Sequence, residues 1–250
     1  MMVQRGPDSQ SLRHWCLFVD VDGTLIEHAD APDSVSVPQD LPMRLGLLAD
    51  ALGGALALIS GRTLESLDRL FAPLRLPAAG VHGLQRRDGQ GRNHDMPCGT
   101  GLEAARADLA GFAQRHPGVL LESKPGALAL HYRRAPQIEG EARDCLGRVA
   151  ARLGPSFTLL SGDMVFEIKP RFPDKGSAVE AFLAEAPFAG RVPIFIGNDQ
   201  TDRDAMRVVK HFQGVTIAVG DRVAADRRFP DPGAVRRWLG GFLHDGDPLR

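Results

Sequence analysis

The sequence has almost no excess charge of either sign. Its 30 Lys and Arg residues nearly balance its 31 Asp and Glu residues, which gives a formal net charge of −1 at pH 7. A protein that binds nucleic acid or an anionic membrane through its overall field carries a clear basic excess. We therefore expect neither nucleic acid nor a membrane surface as a partner.

Cysteine and long apolar runs are also scarce. Cys16, Cys98 and Cys145 show no metal-ligand spacing, and their odd number argues against a disulfide framework. Residues 1–13 are polar and lack the apolar core of a signal peptide. No apolar run approaches the length of a membrane span, and no internal repeat is present. These absences lead us to expect a reduced, cytoplasmic setting.

Both ends of the chain alternate short apolar runs with segments of helical spacing. With 250 residues and 43% hydrophobic residues, the chain can form one large domain or a core with a smaller insertion. The first apolar run begins at Leu17, and three further runs cover residues 55–59, 192–196 and 215–219. Strands that alternate with helices form a parallel sheet with right-handed crossovers. The predicted fold class is therefore α/β with a Rossmann-like core.

The middle of the chain has a different character. Residues 85–99 are charged and rich in glycine, as in a linker or an exposed hairpin. The pattern that follows is helix, hairpin, helix, hairpin, which is typical of two helices packed on an antiparallel sheet. We predict a core domain from residues 1–84 and 170–250. Residues 85–169 are predicted to form an inserted α+β domain.

Alternation along the strands of this insertion separates two faces. One face is apolar and includes Leu128, Leu130 and Tyr132. The opposite face is polar and contains Glu122, Lys124, His131, Arg133, Glu167 and Lys169. Such a face is usually only solvated, but this mixture of acidic, basic and imidazole groups also matches a ligand with many hydroxyls and one charged group.

Two aspartates, Asp20 and Asp22, follow the first apolar run. They lie at the carboxyl end of the predicted strand, where open α/β sheets bind ligands. Two carboxylates this close repel each other unless a cation lies between them. A divalent-metal site in which one carboxylate is also a nucleophile explains the pair. The alternative is a turn in which the aspartates only cap a helix or a loop.

Polar residues also follow two other predicted strands. Ser60 ends one, Asn198, Asp199 and Asp202 follow another, and Lys175 begins the helix before it. Because the ends of parallel strands meet at one edge, these groups can converge. A metal site, a hydroxyl and a fixed cation together suit a phosphoryl group, whose transition state carries negative charge on its peripheral oxygens.

These four segments resemble the signature motifs of the haloacid dehalogenase superfamily. The motifs are Asp20–Thr24, Ile59–Arg62, Lys175–Gly176 and Gly197–Asp202. The insertion lies between the second and third motifs, as in members with a type C2 cap. Within the superfamily the chain is most similar to trehalose-6-phosphate phosphatases. The stretches that carry this similarity are Gly80–Gly83, Glu122–Gly126, Leu130–Arg133 and Phe166–Pro170.

The resemblance implies a role for each motif. Asp20 would attack phosphorus and form an aspartyl-phosphate, while Asp22 would protonate the leaving sugar oxygen and then activate water. Ser60 and Lys175 would hold the phosphoryl oxygens. Mg²⁺ is the implied cofactor. Its implied ligands are Asp20, the backbone carbonyl of Asp22, and the fourth motif with Asn198, Asp199 and Asp202.

The resemblance also implies an enzyme that acts on trehalose 6-phosphate. We separately expect a monomer. The substrate-binding residues would be Gly61, Arg62, His82, Glu122, Lys124, His131, Arg133 and Glu167. Another sugar phosphate, such as sucrose phosphate or mannosylglycerate phosphate, is an alternative substrate. The family usually has Gly-Asp-Asp in its fourth motif, whereas this chain has Asn198 in the middle position. We expect weaker metal affinity from this change, and a non-catalytic sugar-phosphate-binding domain is the second alternative.

Overall fold

The structure, a computed structural model, describes residues 12–29, 34–95 and 101–245, with side chains as far as residue 242. This part of the chain forms an eight-stranded sheet and a separate four-stranded sheet. The predicted α/β class, with an α+β insertion, is confirmed.

Twelve strands belong to the described residues. In chain order they are β1 (Trp15–Val19), β2 (Leu56–Ile59), β3 (Ala78–Gly80), β4 (Gln85–Arg87), β5 (Asn93–Asp95), β6 (Leu120–Lys124), β7 (Ala127–His131), β8 (Phe157–Gly162), β9 (Val165–Pro170), β10 (Val192–Gly197), β11 (Val215–Val219) and β12 (Arg227–Phe229).

Seven α-helices lie among the same residues. They are α1 (Leu41–Ala51), α2 (Leu64–Leu70), α3 (Leu102–Arg115), α4 (Glu139–Leu153), α5 (Lys175–Leu183), α6 (Arg203–His211) and α7 (Pro232–Asp245). Short 3₁₀ helices cover Val81–Gly83, Pro136–Ile138 and Gln200–Asp202.

The large sheet has the strand order β12-β11-β10-β1-β2-β3-β4-β5. All pairs from β12 to β3 are parallel, and β4 and β5 continue the sheet in antiparallel fashion. β1 lies between β10 and β2, with Phe18 opposite Phe195 on one side and Ala57 on the other. The residues that follow these three strands therefore meet at one edge of the sheet.

Each face of the large sheet is covered by an apolar core. Leu17 and Val19 point to the core that contains α1 and α7, whereas Phe18 points to the opposite core. There Phe18 stacks on Phe188 with ring centroids 5.3 Å apart and packs against Phe182 of α5. Because β1 is buried on both faces, its sequence is continuously apolar until the first aspartate.

The small sheet has the order β6-β7-β9-β8, and all of its pairs are antiparallel. Helices α3 and α4 cover one face, where Leu128, Leu130, Phe166 and Ile168 pack against them. The opposite face is turned toward the carboxyl end of the large sheet, since Lys124 of β6 contacts Gly61 after β2. The helix–hairpin–helix–hairpin pattern predicted for this region is confirmed.

The segment after β3 differs from the sequence-based expectation. β4 and β5 do form a hairpin, but β4 pairs with β3 and extends the large sheet to Asp95. The buried carboxylate of Asp88 accepts hydrogen bonds from the backbone of Gln90 and Arg92 and fixes the turn between the two strands. The hydrogen-bonded sheet thus runs past the proposed boundary at residue 84, and the division into two domains stays a prediction.

Two further features concern membrane-spanning helices and cysteine thiols. Among the residues that the structure covers, no helix has both the length and the apolar character needed to span a membrane. Cys16 is buried and Cys145 half-buried, and both are free thiols. Cys98 lies outside the described residues.

Candidate active site

Three distant segments meet at the end of β1. Asp20 follows this strand directly, Lys175 is the first residue of α5, and Asp202 ends the 3₁₀ helix after β10. Lys175 Nζ donates to Asp20 Oδ1 at 2.8 Å and to Asp202 Oδ1 at 2.6 Å. All three side chains are at least nine-tenths buried. The structure thus brings together residues of the first, third and fourth motifs.

Local capping explains why Lys175 occupies this position. Asp174 Oδ1 accepts a hydrogen bond from Ser177 N, and Ser177 Oγ accepts one from Asp174 N, each at 2.8 Å. This capping box begins α5 at Lys175 and directs its side chain toward the sheet edge.

A second cap shapes the loop after β10. Asp199 Oδ1 accepts from Thr201 N and from Thr201 Oγ1. Asp202 Oδ2 accepts from the backbone N–H groups of Asn198 and Asp199, at 2.8 and 3.0 Å. Both oxygens of Asp202 are therefore occupied, one by the loop and the other by Lys175. This arrangement suits a residue that holds Lys175 and the loop in place.

The charges around Lys175 do not balance. Asp20, Asp199 and Asp202 surround this one ammonium group, so two negative charges remain uncompensated. Burial, and then the charge of Asp202, raise the pKa of Asp20 well above its usual range, and Lys175 opposes both. Burial acts to lower the pKa of Lys175, but Asp20 and Asp202 outweigh it and keep this pKa raised. A divalent cation beside Asp20 would restore neutrality.

Oxygen atoms converge where such a cation would bind. The inner end of the Asn198 amide lies 3.1 Å from Asp20 Oδ2 and 3.2 Å from the carbonyl oxygen of Asp22. With Oδ1 as this inner atom, three oxygens face one another, whereas with the amide reversed Nδ2 donates to the other two. Thr24 Oγ1 donates to Asp20 Oδ2 at 3.0 Å and lies 3.4 Å from Asn198 Oδ1. A hard divalent cation takes such an oxygen set, so these residues fit one.

Acidic side chains alone do not make this set. Among the described residues, no group of three or more His, Cys, Asp and Glu side chains is arranged to hold a metal ion. The candidate ligands instead combine a carboxylate, an amide and a backbone carbonyl. Their identification thus depends on the convergence of oxygens and on the local charge.

Asp22 and the residues after β2 form the next part of the site. Arg62 makes a bidentate ion pair with Asp22, with both N–O distances at 2.7 Å. Ser60 is buried, and its Oγ accepts a hydrogen bond from Arg62 N at 3.1 Å. The loop after β2 therefore orients the guanidinium toward Asp22.

His82 closes this part of the site from the following loop. Its backbone is left-handed, with φ +55°, and its N–H donates to Ser60 O. A Cβ at Gly61 would lie 2.7 Å from His82 Nε2, so only glycine allows this approach. His82 Nδ1 is buried without a hydrogen-bond partner, and burial lowers the pKa of His82.

The four-stranded sheet supplies the opposite wall. Lys124 Nζ donates to Glu167 Oε2 at 2.8 Å and to Gly61 O at 3.0 Å. His131 Nε2 lies 2.8 Å from Glu122 Oε2, and Arg133 pairs with Asp163 in the β8–β9 turn. The polar face that alternation predicted is therefore a network of ion pairs turned toward the large sheet.

Electrostatics make this wall strongly charged. Although burial acts to raise the pKa of Glu167, the charges of Lys124 and His82 hold it far below its usual range. Burial likewise acts to lower the pKa of Lys124, but Glu167 and Glu122 keep it raised. Glu167 Oε1 is buried and accepts no hydrogen bond, although His82 Nε2 lies 3.5 Å away. An unsatisfied buried oxygen of this kind is an acceptor for a ligand hydroxyl.

One cavity joins the two walls. The predicted site residues that line it are Asp20, Asp22, Gly61, Arg62, His82, Glu122, Lys124, His131, Arg133, Glu167, Lys175 and Asp199. Three predicted residues, Ser60, Asn198 and Asp202, do not line this cavity but contact residues that do, namely Arg62, Asp20 and Lys175 respectively.

Sequence reasoning missed some lining residues and misjudged one neighbour. His28, Asp163 and Thr201 line the cavity. His28 and Asp163 lie in a loop and a turn where no pattern distinguishes them, whereas Thr201 belongs to the fourth motif but was not assigned to the site. Lys169 was expected on the exposed polar face. It is buried instead, and its Nζ donates to the backbone oxygens of Pro170 and Pro173.

The fold is the one that the resemblance to the haloacid dehalogenase superfamily predicts, a parallel sheet with aspartates directly after its first strand. The C-terminal domain of a Candida albicans trehalose-6-phosphate phosphatase superimposes with a TM-score of 0.83, at 18% identity and 95% coverage of both chains. A trehalose-6-phosphate phosphatase related protein gives 0.75, at 22% identity, over 91% of this chain and 96% of the other. At these identities the likeness establishes the fold alone.

The chain belongs to the trehalose-phosphatase family, whose sequence model matches residues 18–228. A probable trehalose-phosphate phosphatase of Sinorhizobium fredii is 44% identical over 217 residues, which cover 87% of this chain and 82% of the relative. The trehalose-6-phosphate phosphatase of Escherichia coli is 44% identical over 205 residues, which cover 81% and 76% respectively. Members of this family are phosphatases that depend on a divalent metal.

Proposed function

We propose that this protein hydrolyses trehalose 6-phosphate to trehalose and phosphate, with Mg²⁺ as its metal. One observation carries the proposal: Asp20 and Lys175 share a single cavity with the polar wall of Glu122, Lys124 and Glu167. A phosphoryl group at one end and a sugar at the other match these two walls. The names of the relatives, at 44% identity, support the choice of sugar phosphate.

The metal ligands in this proposal are Asp20 Oδ2, the Asp22 carbonyl oxygen and Asn198 Oδ1, whose mutual approach is described above. A bound cation would neutralise phosphate charge and orient the group for in-line attack. Asp199 lies close enough for its charge to affect Asp20. Asp202 acts instead by holding Lys175 through Oδ1 and the backbone of Asn198 and Asp199 through Oδ2.

Asp20 is the proposed nucleophile. Its carboxylate oxygen bonds to phosphorus as the bond from phosphorus to the sugar oxygen breaks, which forms an aspartyl-phosphate. Lys175 favours the ionised carboxylate that this attack requires, against the effect of burial. Ser60 and Lys175 would then hold the phosphoryl oxygens.

Asp22 is the proposed general acid and base. In the first step it gives a proton to the leaving sugar oxygen, and in the second it takes one from the water that attacks phosphorus. The bond between phosphorus and Asp20 then breaks, and phosphate leaves. Arg62 holds both oxygens of Asp22 and would position this carboxyl group between the two steps.

The small sheet is proposed to bind the sugar. Glu122, Lys124 and Glu167 offer acceptors and a donor for hydroxyl groups, and His131 and Arg133 flank them. The buried, unpartnered atoms His82 Nδ1 and Glu167 Oε1 would gain partners from the ligand. With this wall over the strand ends, bulk water is excluded while substrate is bound.

A substrate panel tests the proposal directly. Phosphate release is measured from trehalose 6-phosphate, sucrose 6-phosphate, mannosylglycerate phosphate and glucose 6-phosphate, with and without Mg²⁺ after treatment with EDTA. We expect the highest kcat/KM for trehalose 6-phosphate, and activity only with added metal. A higher kcat/KM for another sugar phosphate would reassign the substrate. Tight binding without any release would identify a binding domain.

The remaining expectations concern organisation. We propose a monomer of the cytoplasm in which residues 85–169 act as the substrate-specificity domain of the 1–84 and 170–250 core. The free thiols of Cys16 and Cys145 are consistent with a reduced compartment. Gel filtration with light scattering checks the first point, with an expected mass near 27.0 kDa.

A further inference from the structure

Asn198 contacts a histidine that the proposed mechanism does not use. The outer end of the Asn198 amide lies 3.4 Å from His28 Nε2, and it donates a hydrogen bond there when this outer atom is Nδ2 and the imidazole carries its proton on Nδ1. The two residues are 170 positions apart, in the loops after β1 and β10. His28 also lines the cavity between the two walls and a second cleft beside it, and Asn198 borders this second cleft as well.

This contact bears on which end of the amide faces the metal ligands. With Nδ2 bonded to His28, Oδ1 is the atom that approaches Asp20 Oδ2 and the Asp22 carbonyl oxygen. In the reversed orientation the nitrogen would donate to these two oxygens, at 3.1 and 3.2 Å. An inward nitrogen cannot bind a cation and would itself occupy the ligand oxygens. The inward nitrogen satisfies the hydrogen bonds of the amide when no cation is bound. Only the orientation with Oδ1 turned inward is competent to bind metal, so metal binding requires the outer Nδ2 to find an acceptor.

The two orientations exist only because residue 198 is an asparagine. An aspartate presents an oxygen at either end and needs no selection. Asn198 needs a partner that accepts from Nδ2 on the outer side, and His28 Nε2 occupies that place.

The backbone beneath the pair leaves room for this contact. Gly23 has φ +79°, and a Cβ there would lie 2.2 Å from Asn198 Nδ2 and 2.4 Å from His28 Nε2. Any side chain at position 23 would therefore occupy the space through which the amide and the imidazole meet.

We propose that His28 is a positioning residue that keeps Asn198 Oδ1 turned toward the divalent cation and so sets metal affinity. The proposal rests on the proposed function only in taking Asp20, Asp22 and Asn198 as the metal site. It makes no assumption about substrate. Because His28 acts through the amide, its effect must depend on the residue at position 198.

A double-mutant cycle measures that dependence. Mn²⁺ binding to the metal-stripped full-length protein is followed by electron paramagnetic resonance of the free ion, for the wild type, His28→Ala, Asn198→Asp and the double variant. We expect His28→Ala to weaken Mn²⁺ binding about fivefold, in line with the loss of one hydrogen bond. In the Asn198→Asp background the same change should leave affinity unaltered. The exposed His211→Ala serves as the matched control and should have no effect.

Equal weakening in both backgrounds would overturn the proposal, because it would mean that His28 acts by charge or packing. No weakening in either background would overturn it too. If Asn198→Asp does not fold, a second pair of variants at position 28 tests the proposal. His28→Gln retains an acceptor and should bind Mn²⁺ nearly as the wild type does, whereas His28→Leu should bind it more weakly. Equal affinities of these two variants would also reject the role.

The outcome separates this inference from the proposed function. A wild-type protein that binds no Mn²⁺ would refute the proposed metal site itself. If the double-mutant cycle gives the expected Mn²⁺ affinities but the protein releases no phosphate, the catalytic proposal is refuted and the role of His28 is unaffected.

Discussion

The two walls of the cavity are built in different ways. At the sheet edge, the backbone fixes the functional groups: Asp20 directly follows β1, and capped helix starts hold Lys175 and the loop of Asp202. On the small sheet, side chains hold one another through pairs such as Lys124 with Glu167 and Glu122 with His131.

This difference indicates that the two walls have different functions. Groups fixed by strand ends and helix caps keep their geometry whether or not a ligand is present, as bond-making chemistry requires. Side chains that pair with each other can exchange those partners for ligand hydroxyls, as recognition requires. We therefore expect changes at the sheet edge to affect turnover and folding, and changes on the small sheet to affect substrate affinity.

The largest effect is expected from Asp20→Asn. Without the carboxylate nucleophile, kcat should fall on the order of 10³-fold or more, because no aspartyl-phosphate can form. Binding of trehalose 6-phosphate, measured by isothermal titration calorimetry with Mg²⁺ present, should persist. Turnover that survives at a substantial rate would remove Asp20 from its proposed role.

The next effect concerns stability at the same edge. Lys175→Met leaves Asp20 and Asp202 buried without their shared cation, which should cost about 3–5 kcal/mol of unfolding free energy. Urea denaturation in EDTA measures this change. Lys210→Met breaks the exposed pair with Asp226 and should cost no more than about 1 kcal/mol. Similar losses in the two variants would show that burial is not the deciding factor.

A smaller, selective effect is expected on the opposite wall. Glu167→Gln removes a charged acceptor from the proposed sugar site, so KM for trehalose 6-phosphate should rise about tenfold. Its kcat should change little. Hydrolysis of p-nitrophenyl phosphate, which has no sugar, should be unaffected and serves as the control. Loss of activity on both substrates would mean that Glu167 acts on the chemistry and that the division between the walls is wrong.

The smallest effect is a pH dependence of stability from the same residue. The pKa of Glu167 is lower in the folded protein than its ordinary value of 4.5, because Lys124 and His82 favour the carboxylate against burial. The resulting stabilisation is complete above that value and decreases as the pH falls below it. Wild type should therefore exceed Glu167→Gln in unfolding free energy at pH 7, and the gap should narrow at pH 3.5. A gap that is constant with pH would contradict this assignment.

The parts that sequence predicts best are those governed by periodicity and chain direction. Continuous apolar runs mark β1, β2, β10 and β11, because parallel strands are buried on both faces. In β6 and β9, Glu122, Lys124 and Glu167 lie on the face opposite Phe166 and Ile168, because successive side chains of a strand point to opposite faces. The approach of Asp20 and Asp202 follows from topology once β1 and β10 are known to be parallel, whereas the position of Lys175 also depends on the capping box that begins α5.

The parts that sequence does not predict depend on tertiary contacts between short or irregular segments. β3 and β12 have three residues each, too few for a pattern to show. Lys169 alternates like Glu167, but the nearby carbonyl oxygens of Pro170 and Pro173 accept its ammonium hydrogens. His82 reaches Gly61 because its own backbone is left-handed. Among Val81–Gly83, only the glycine is of a residue type that favours this conformation, so the sequence does not predict it at His82.

All four strands of the small sheet lie in one continuous segment, Leu120 to Pro170. Of the two helices that cover this sheet, α3 directly precedes the segment and α4 lies within it. None of the strand ends near Asp20 belongs to it. Replacement of this segment during evolution can therefore change the sugar specificity, while every group proposed to cleave the phosphate ester is retained.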